Sequence, residues 1–307
     1  MPAIEIGVSL PSYGDLAPGG FPGVVEGARH AEEAGLDSVS VCDFIMGNGV
    51  PALDAPLLLA AAAGVTERVG LRFSVLTLPV RDITWVAQQV GTLQQLSGGR
   101  VVLGVGTGGA PGTPFWEAVG ASGEERGRRF EEGLALLPRL LSGRETALPH
   151  RPGEAAVTLS PPAEVPPVLV GGASERAIRR AGALADGWLP SMVSPATVAR
   201  GTARLREIAA EHGRPAPATS VWLHAGLGDG ESVTSARAAF LESLVKQFGL
   251  AADEAAEVPI GGTPEEAAER FTAYAEAGAT HLDLVVDGGD WRRQVELIAE
   301  ARALLGK

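Results

Sequence analysis

The chain has 307 residues, 37 Asp and Glu against 25 Lys and Arg, a formal net charge of −12 and 45% hydrophobic residues. That hydrophobic share supplies a core and excludes disorder as the main state, while the negative charge and scattered Arg residues argue against nucleic acid as a partner. No apolar run approaches the ~20 residues of a membrane span, MPAIEIGVSLP is no signal peptide, and a single cysteine, Cys42, closes no intrachain disulfide, so a cytoplasmic protein is expected.

Short β-branched runs alternate with segments of helical period along the whole chain, the order of parallel strands joined by crossover helices. Strands are predicted at 4–10, 38–42, 70–78, 100–106, 167–171, 187–190, 220–227 and 281–286. Helices are predicted at 23–34, 53–65, 84–96, 124–141, 174–184, 195–212, 232–248 and 264–277, with 291–305 closing the chain. Gly35 and Gly278 stand where left-handed helix stops belong, and Thr263, Pro264 and Glu266 form a capping box. Eight strands point to an α/β fold, one (β/α)8 TIM barrel spanning 1–307; an open doubly wound sheet is the competing arrangement. The Pro- and Gly-rich stretch 142–166 fits neither helix nor strand. It reads as an insertion loop between strands four and five, over one end of the barrel.

Barrel sites are assembled from loops at the C-terminal strand ends, and that rule selects Ser9, Tyr13, Asp43, Phe44, Ser74, Val75, Thr107, Ser191 and His224. Gly171 and Gly172 end a strand, and Ala173 leads to Ser174, which can cap the next helix; free N–H groups and the positive helix end then converge on an anion site. Arg176 adds charge to it or is solvated, and the glycines equally suit a tight packed turn. Gly104, Gly106, Thr107, Gly108 and Gly109 lack the spacing of a dinucleotide fingerprint. Asp43 reads as a pocket acid or a helix cap. His224, between apolar neighbours, reads as a proton donor or a hydrogen-bonded core residue. No metal-ligand spacing, nucleophile elbow or P-loop is present.

Four segments resemble the bacterial-luciferase-like monooxygenases and their deazaflavin-dependent relatives: HAEEAGLDSVSVCDF (30–44), LQQLSGGRVVLGVGTGG (93–109), VPPVLVGGASERAIRRAGALADGWLP (165–190) and IGGTPEEAAERF (260–271). The resemblance implies a flavin-type cofactor with its phosphate above Gly171–Ser174 and a cis peptide at Ser74–Val75 buttressing the ring. For Gly104, Gly106, Gly108 and Gly109, within the segment 93–109, it implies backbone giving way to a flat ring. Asp43 matches the family's Asp-His pair; Phe44 replaces its histidine. The small-then-branched pair Ser74–Val75 resembles the deazaflavin-dependent members, so coenzyme F-420 is the expected cofactor, Arg176 with Arg179 or Arg180 meeting its charged tail, and FMN the alternative. The implied activity is hydride transfer between F-420 and a small organic substrate, with an FMN-dependent monooxygenase using O2 as runner-up. A non-catalytic flavin-binding protein and a phosphate-sugar barrel enzyme without flavin are the readings from other classes. A homodimer is compatible with the resemblance.

Overall fold

The strands run β1 (Glu5–Ser9), β2 (Ser38–Val41), β3 (Gly70–Thr77), β4 (Val101–Gly106), β5 (Val168–Gly171), β6 (Gly187–Leu189), β7 (Ala218–Leu227) and β8 (His281–Val286). The computed structural model describes residues 4–14, 21–46, 50–109, 111–149, 153 and 155–306. Each strand pairs in parallel with the next. Two pairings decide the topology: Gly187 faces Ala218 between β6 and β7, and Glu5 faces His281 between β1 and β8. The sheet closes on itself. The fold is therefore the expected (β/α)8 barrel, and the open sheet is excluded.

The helices between the strands are α1 (Phe21–Glu33), α2 (Ala55–Ala63), α3 (Ile83–Ser97), α4 (Arg126–Leu141), α5 (Glu175–Leu184), α6 (Pro195–Glu211), α7 (Glu231–Lys246), α8 (Pro264–Glu276) and α9 (Trp291–Leu304). Their ends follow local chemistry. Asp54, Asp82, Ser174, Ser194 and Asp290 each cap a helix through a side-chain oxygen, and Thr263 with Glu266 completes the predicted capping box. Gly35 and Gly278 take the left-handed conformation at φ 88° and 99° and stop α1 and α8. The bonds from Leu36 N–H to the Ala31 carbonyl and from Ala279 N–H to the Tyr274 carbonyl close these ends.

Alternate residues face opposite sides of each strand. The outward set, including Ile6, Val8, Val39, Leu71 and Leu103, is fully buried beneath the helices, each such side chain contributing about 1.5–3 kcal/mol. The inward set is different. Layers of branched apolar residues are usual inside such barrels, yet here hydrogen bonds cross the interior between strands that are not neighbours, from Ser74 on β3 to Asp283 on β8 and from Arg72 on β3 to Ser220 on β7.

The stretch 142–166 holds a two-stranded antiparallel ribbon, Thr146–Ala147 with Ala156–Val157, which corrects the expectation that it contains no strand; residues 150–152 and 154 lie outside the described residues. The stretch joins the end of α4 to the start of β5 and packs along the helices: Gln94 and Gln95 of α3 donate to the carbonyls of Glu164 and Pro162, while Leu148 and Pro149 share a cavity with Leu78, Arg81 and Ile83 after β3. A short strand at Ile260–Gly262, which periodicity did not reveal, pairs with the outer edge of β7.

Candidate active site

Asp283, at 0% exposure, receives hydrogen bonds from Ser40 Oγ at 2.6 Å and Ser74 Oγ at 2.5 Å, one on each carboxylate oxygen. Burial raises its pKa, opposed by the two serine bonds and the Arg72 charge. Beneath it, His281 lies between Ser38 Oγ (2.7 Å from Nε2) and Ser220 Oγ (2.9 Å from Nδ1), and Ser220 also accepts from Arg72 Nη2 at 3.0 Å. Burial, with Arg72 nearby, holds His281 well below the ordinary histidine range, so it is neutral. Two buried donors of this interior, Arg72 Nε and Trp222 Nε1, have no partner among the described residues.

The Ser74–Val75 peptide is cis, as the resemblance implied, and the register of β3 against β4 shifts between Phe73 and Leu76. Cys42 Sγ donates to the Ser74 carbonyl at 3.3 Å. Burial, with the Asp283 charge, pushes this thiol up to about 12. The Val75 side chain occupies the room that three glycines leave: a Cβ would come within 3.2 Å of it at Gly104, 2.6 Å at Gly106 and 2.9 Å at Gly171. The gap at Gly104 and Gly106 is therefore filled by Val75. This corrects the expectation that it admits a flat ring directly; the glycines admit the bulge.

Beside the bulge, β5 runs into the start of α5. Gly172 has φ 111°, its N–H pairs with the Leu189 carbonyl, and its own carbonyl accepts from Trp188 Nε1 at 2.7 Å. Ser174 Oγ accepts from Ala177 N–H, so the N–H groups of Ser174, Glu175 and Arg176 are the ones left open at the helix end. Ala173, Ser174 and Arg176 are exposed. Arg179 and Arg180 are tied to Glu175 and Glu131 at 2.9 and 2.8 Å, so neither stands free for a cofactor tail, against expectation.

The remaining candidates separate clearly. Asp43 is almost buried and engaged: it accepts from Thr77 N–H at 2.8 Å and from both Arg81 terminal nitrogens at 2.7 and 2.8 Å. It is neither a helix cap nor an open carboxylate. Phe44, 43% exposed, stacks on Tyr13 with centroids 3.8 Å apart. Thr107 is half-buried directly after β4. His224 is not a lone histidine: Nδ1 lies 2.7 Å from Asp287 Oδ1, and the ring stacks on Phe240 and meets Trp222 edge-on.

Sequence reasoning missed Asp283, His281, Ser40, Trp222 and Asp287. A signal existed in HLDLVVD, where the polar residues His281, Asp283 and Asp287 share one face of the alternation in an otherwise apolar run, with Val285 between the last two.

The profile described as luciferase-like monooxygenase matches residues 4–281. The chain belongs to this family. It is 31% identical over 284 residues to an F420-dependent glucose-6-phosphate dehydrogenase of Beutenbergia cavernae, covering 82% of this chain and 83% of that one. The protein of the same description from Nakamurella multipartita is 28% identical, covering 90% and 91%. Among solved structures, an F420-dependent secondary alcohol dehydrogenase in complex with an F420-acetone adduct superposes with a TM-score of 0.82 at 19% identity, covering 99% of both chains. The FMN-bound oxygenating constituent of 3,6-diketocamphane monooxygenase from Pseudomonas putida gives 0.76 at 18%, covering 97% of both. At these identities the structures establish the fold. The family membership makes the chain a luciferase-like oxidoreductase of the kind that works with a flavin or deazaflavin. No helix among the described residues is long and apolar enough to cross a membrane.

Proposed function

We propose that the enzyme transfers a hydride between coenzyme F-420 and a small organic substrate at the barrel mouth. The observation that carries this reading is the Val75 side chain, seated against Gly106 and Gly171 at the entry to the open N-terminus of α5. The residues fit such a cofactor. A phosphate suits the N–H groups of Ser174, Glu175 and Arg176, with Ala173 and the Arg176 side chain on the same exposed face. Val75, held half-exposed above Gly106 and Gly171, suits the face of a flat ring, and Thr107 adds a hydroxyl at the same rim.

When bound, the deazaflavin supplies the carbon that takes or gives the hydride. The chain's part is to hold and to move a proton. His224, oriented by Asp287 through Nδ1, presents Nε2 as the group that exchanges the proton of a substrate hydroxyl or carbonyl oxygen. Asp43, clamped on Arg81 and Thr77, keeps the loop after β3 in place and transfers no proton. The relatives' names support F-420, as does the small-then-branched pair at 74 and 75. An FMN-dependent monooxygenase is the second reading, favoured by the net charge of −12, which suits the longer polyanionic tail of F-420 less well than the single phosphate of FMN.

We also assign the outer face of α2 and α3 to a second copy of the chain. These adjacent helices carry no charged residue in a chain of net charge −12, yet expose Leu57 at 72% and Trp85 at 68%.

Anaerobic mixing of the protein and F-420 with a panel of secondary alcohols and aldehydes tests the function. Reduction of the cofactor, lost in His224→Ala, is expected. A protein that binds F-420 but never exchanges electrons with it under any substrate would contradict the reading.

A further inference from the structure

A carboxylate buried at 0% exposure in a barrel core requires a reason, because an apolar residue of similar volume is usually at least as good for stability. Asp283 has no contact with the mouth. Its two oxygens receive Ser40 Oγ and Ser74 Oγ, and Ser74 is the first residue of the cis bulge. The bulge is held on three sides: its serine side chain by Asp283, its serine carbonyl by Cys42 Sγ, and its valine side chain by the gaps at Gly104, Gly106 and Gly171. Of the two hydrogen bonds, that from Ser74 Oγ to Asp283 Oδ2 is the shorter, 2.5 Å against 3.3 Å from Cys42 Sγ.

We infer that Asp283 is a positioning residue for cofactor binding: through Ser74 it sets where Val75 stands, and so the surface on which the ring rests. This rests on the proposed flavin-type site but not on which cofactor fills it. A shift of Val75 changes the surface that a bound ring meets, so the absorption spectrum of the bound ring reports on the hold that Asp283 exerts through Ser74.

The test is a double-mutant cycle on Asp283→Asn and Ser74→Ala, read by titrating the purified full chain with F-420 and, separately, with FMN. Asn keeps the shape but offers only one acceptor oxygen. Each single variant is expected to weaken binding of the preferred cofactor at least tenfold and to shift its bound absorption maximum. The double variant is expected to be no weaker than the worse single one, because both remove the same hold. Circular dichroism and thermal melting show whether Asp283→Asn folds; should it not, Ser74→Ala alone carries the comparison, expected to weaken binding at least tenfold and to shift the bound absorption maximum. Additive losses, or unchanged affinity and spectrum in folded Ser74→Ala, overturn the inference. A wild-type protein that binds neither cofactor overturns instead the flavin-type reading beneath it.

Discussion

His224 Nδ1 lies 2.7 Å from Asp287 Oδ1, so a carboxylate from the end of β8 fixes the orientation of an imidazole that β7 carries to the barrel mouth. The two are 63 residues apart in sequence, and the closed topology brings them together. Asp287→Asn replaces the acceptor that holds the Nδ1 proton with a group that can donate, which reverses the tautomer and leaves Nε2 carrying the proton. The expected result is a fall in kcat of roughly a hundredfold or more with cofactor affinity within twofold, as general acid–base catalysis contributes about 10²–10⁴-fold. Steady-state kinetics with a matched cofactor titration check it. Unchanged kcat would remove the pair from the proton path.

Gly172 stands at φ 111°, which L side chains rarely adopt, and its carbonyl is held by Trp188. Gly172→Val is expected to lose about 1–3 kcal/mol of stability and to weaken cofactor binding at least ~tenfold, about 1.4 kcal/mol, because the shifted turn misplaces the open N–H groups of α5. Denaturant melts and a cofactor titration on the same preparation read the two effects separately. A destabilised variant with unchanged affinity would show that the turn serves packing alone.

The buried His281 sets a pH dependence. Its ordinary pKa is 6.5 and the folded value lies well below, from burial and from the Arg72 charge; Ser38 and Ser220 are its hydrogen-bond partners. Below pH 6.5 the unfolded chain therefore binds a proton that the folded chain refuses. The stability His281 contributes is complete above that pH and falls at about 1.4 kcal/mol per pH unit beneath it. Asp283, whose folded pKa is raised by burial, acts in the opposite sense above pH 3.8, so the comparison is made between variants that both keep it. Urea unfolding between pH 7 and 5 should show a shallower slope in His281→Gln than in the wild type. Equal slopes would contradict a neutral buried imidazole.

Much of the fold could be read from the chain because a βα barrel is built from local signals. Thr263 with Glu266 and the stops at Gly35 and Gly278 act within a few residues, and the eight strands are apolar runs between such marks. The site was legible only where a local motif carries it, as with Ser174 at the start of α5. Asp43 was not, since its carboxylate is claimed by Arg81 across 38 residues, nor was the role of Gly106, since Val75 fills its space from the neighbouring strand. Asp283 and His281 escaped notice because both faces of a parallel strand are buried here, so a polar alternation looks like interruption of an apolar run.

The uncharged α2–α3 face makes an assembly prediction. Trp85→Glu places a charge on each side of a two-fold contact and should convert a dimer to a monomer in sedimentation velocity, with secondary structure retained. A wild-type chain that sediments as a monomer at every concentration, or a variant that still dimerises, would locate the contact elsewhere or remove it.

Titration of the wild-type protein at physiological salt with F-420 and with FMN, in parallel, decides which cofactor the mouth is built for. Micromolar or tighter binding of F-420 and weaker binding of FMN are expected, both reduced by Gly172→Val. The reverse order would contradict the F-420 reading and make an FMN-dependent monooxygenase the better reading of the same mouth.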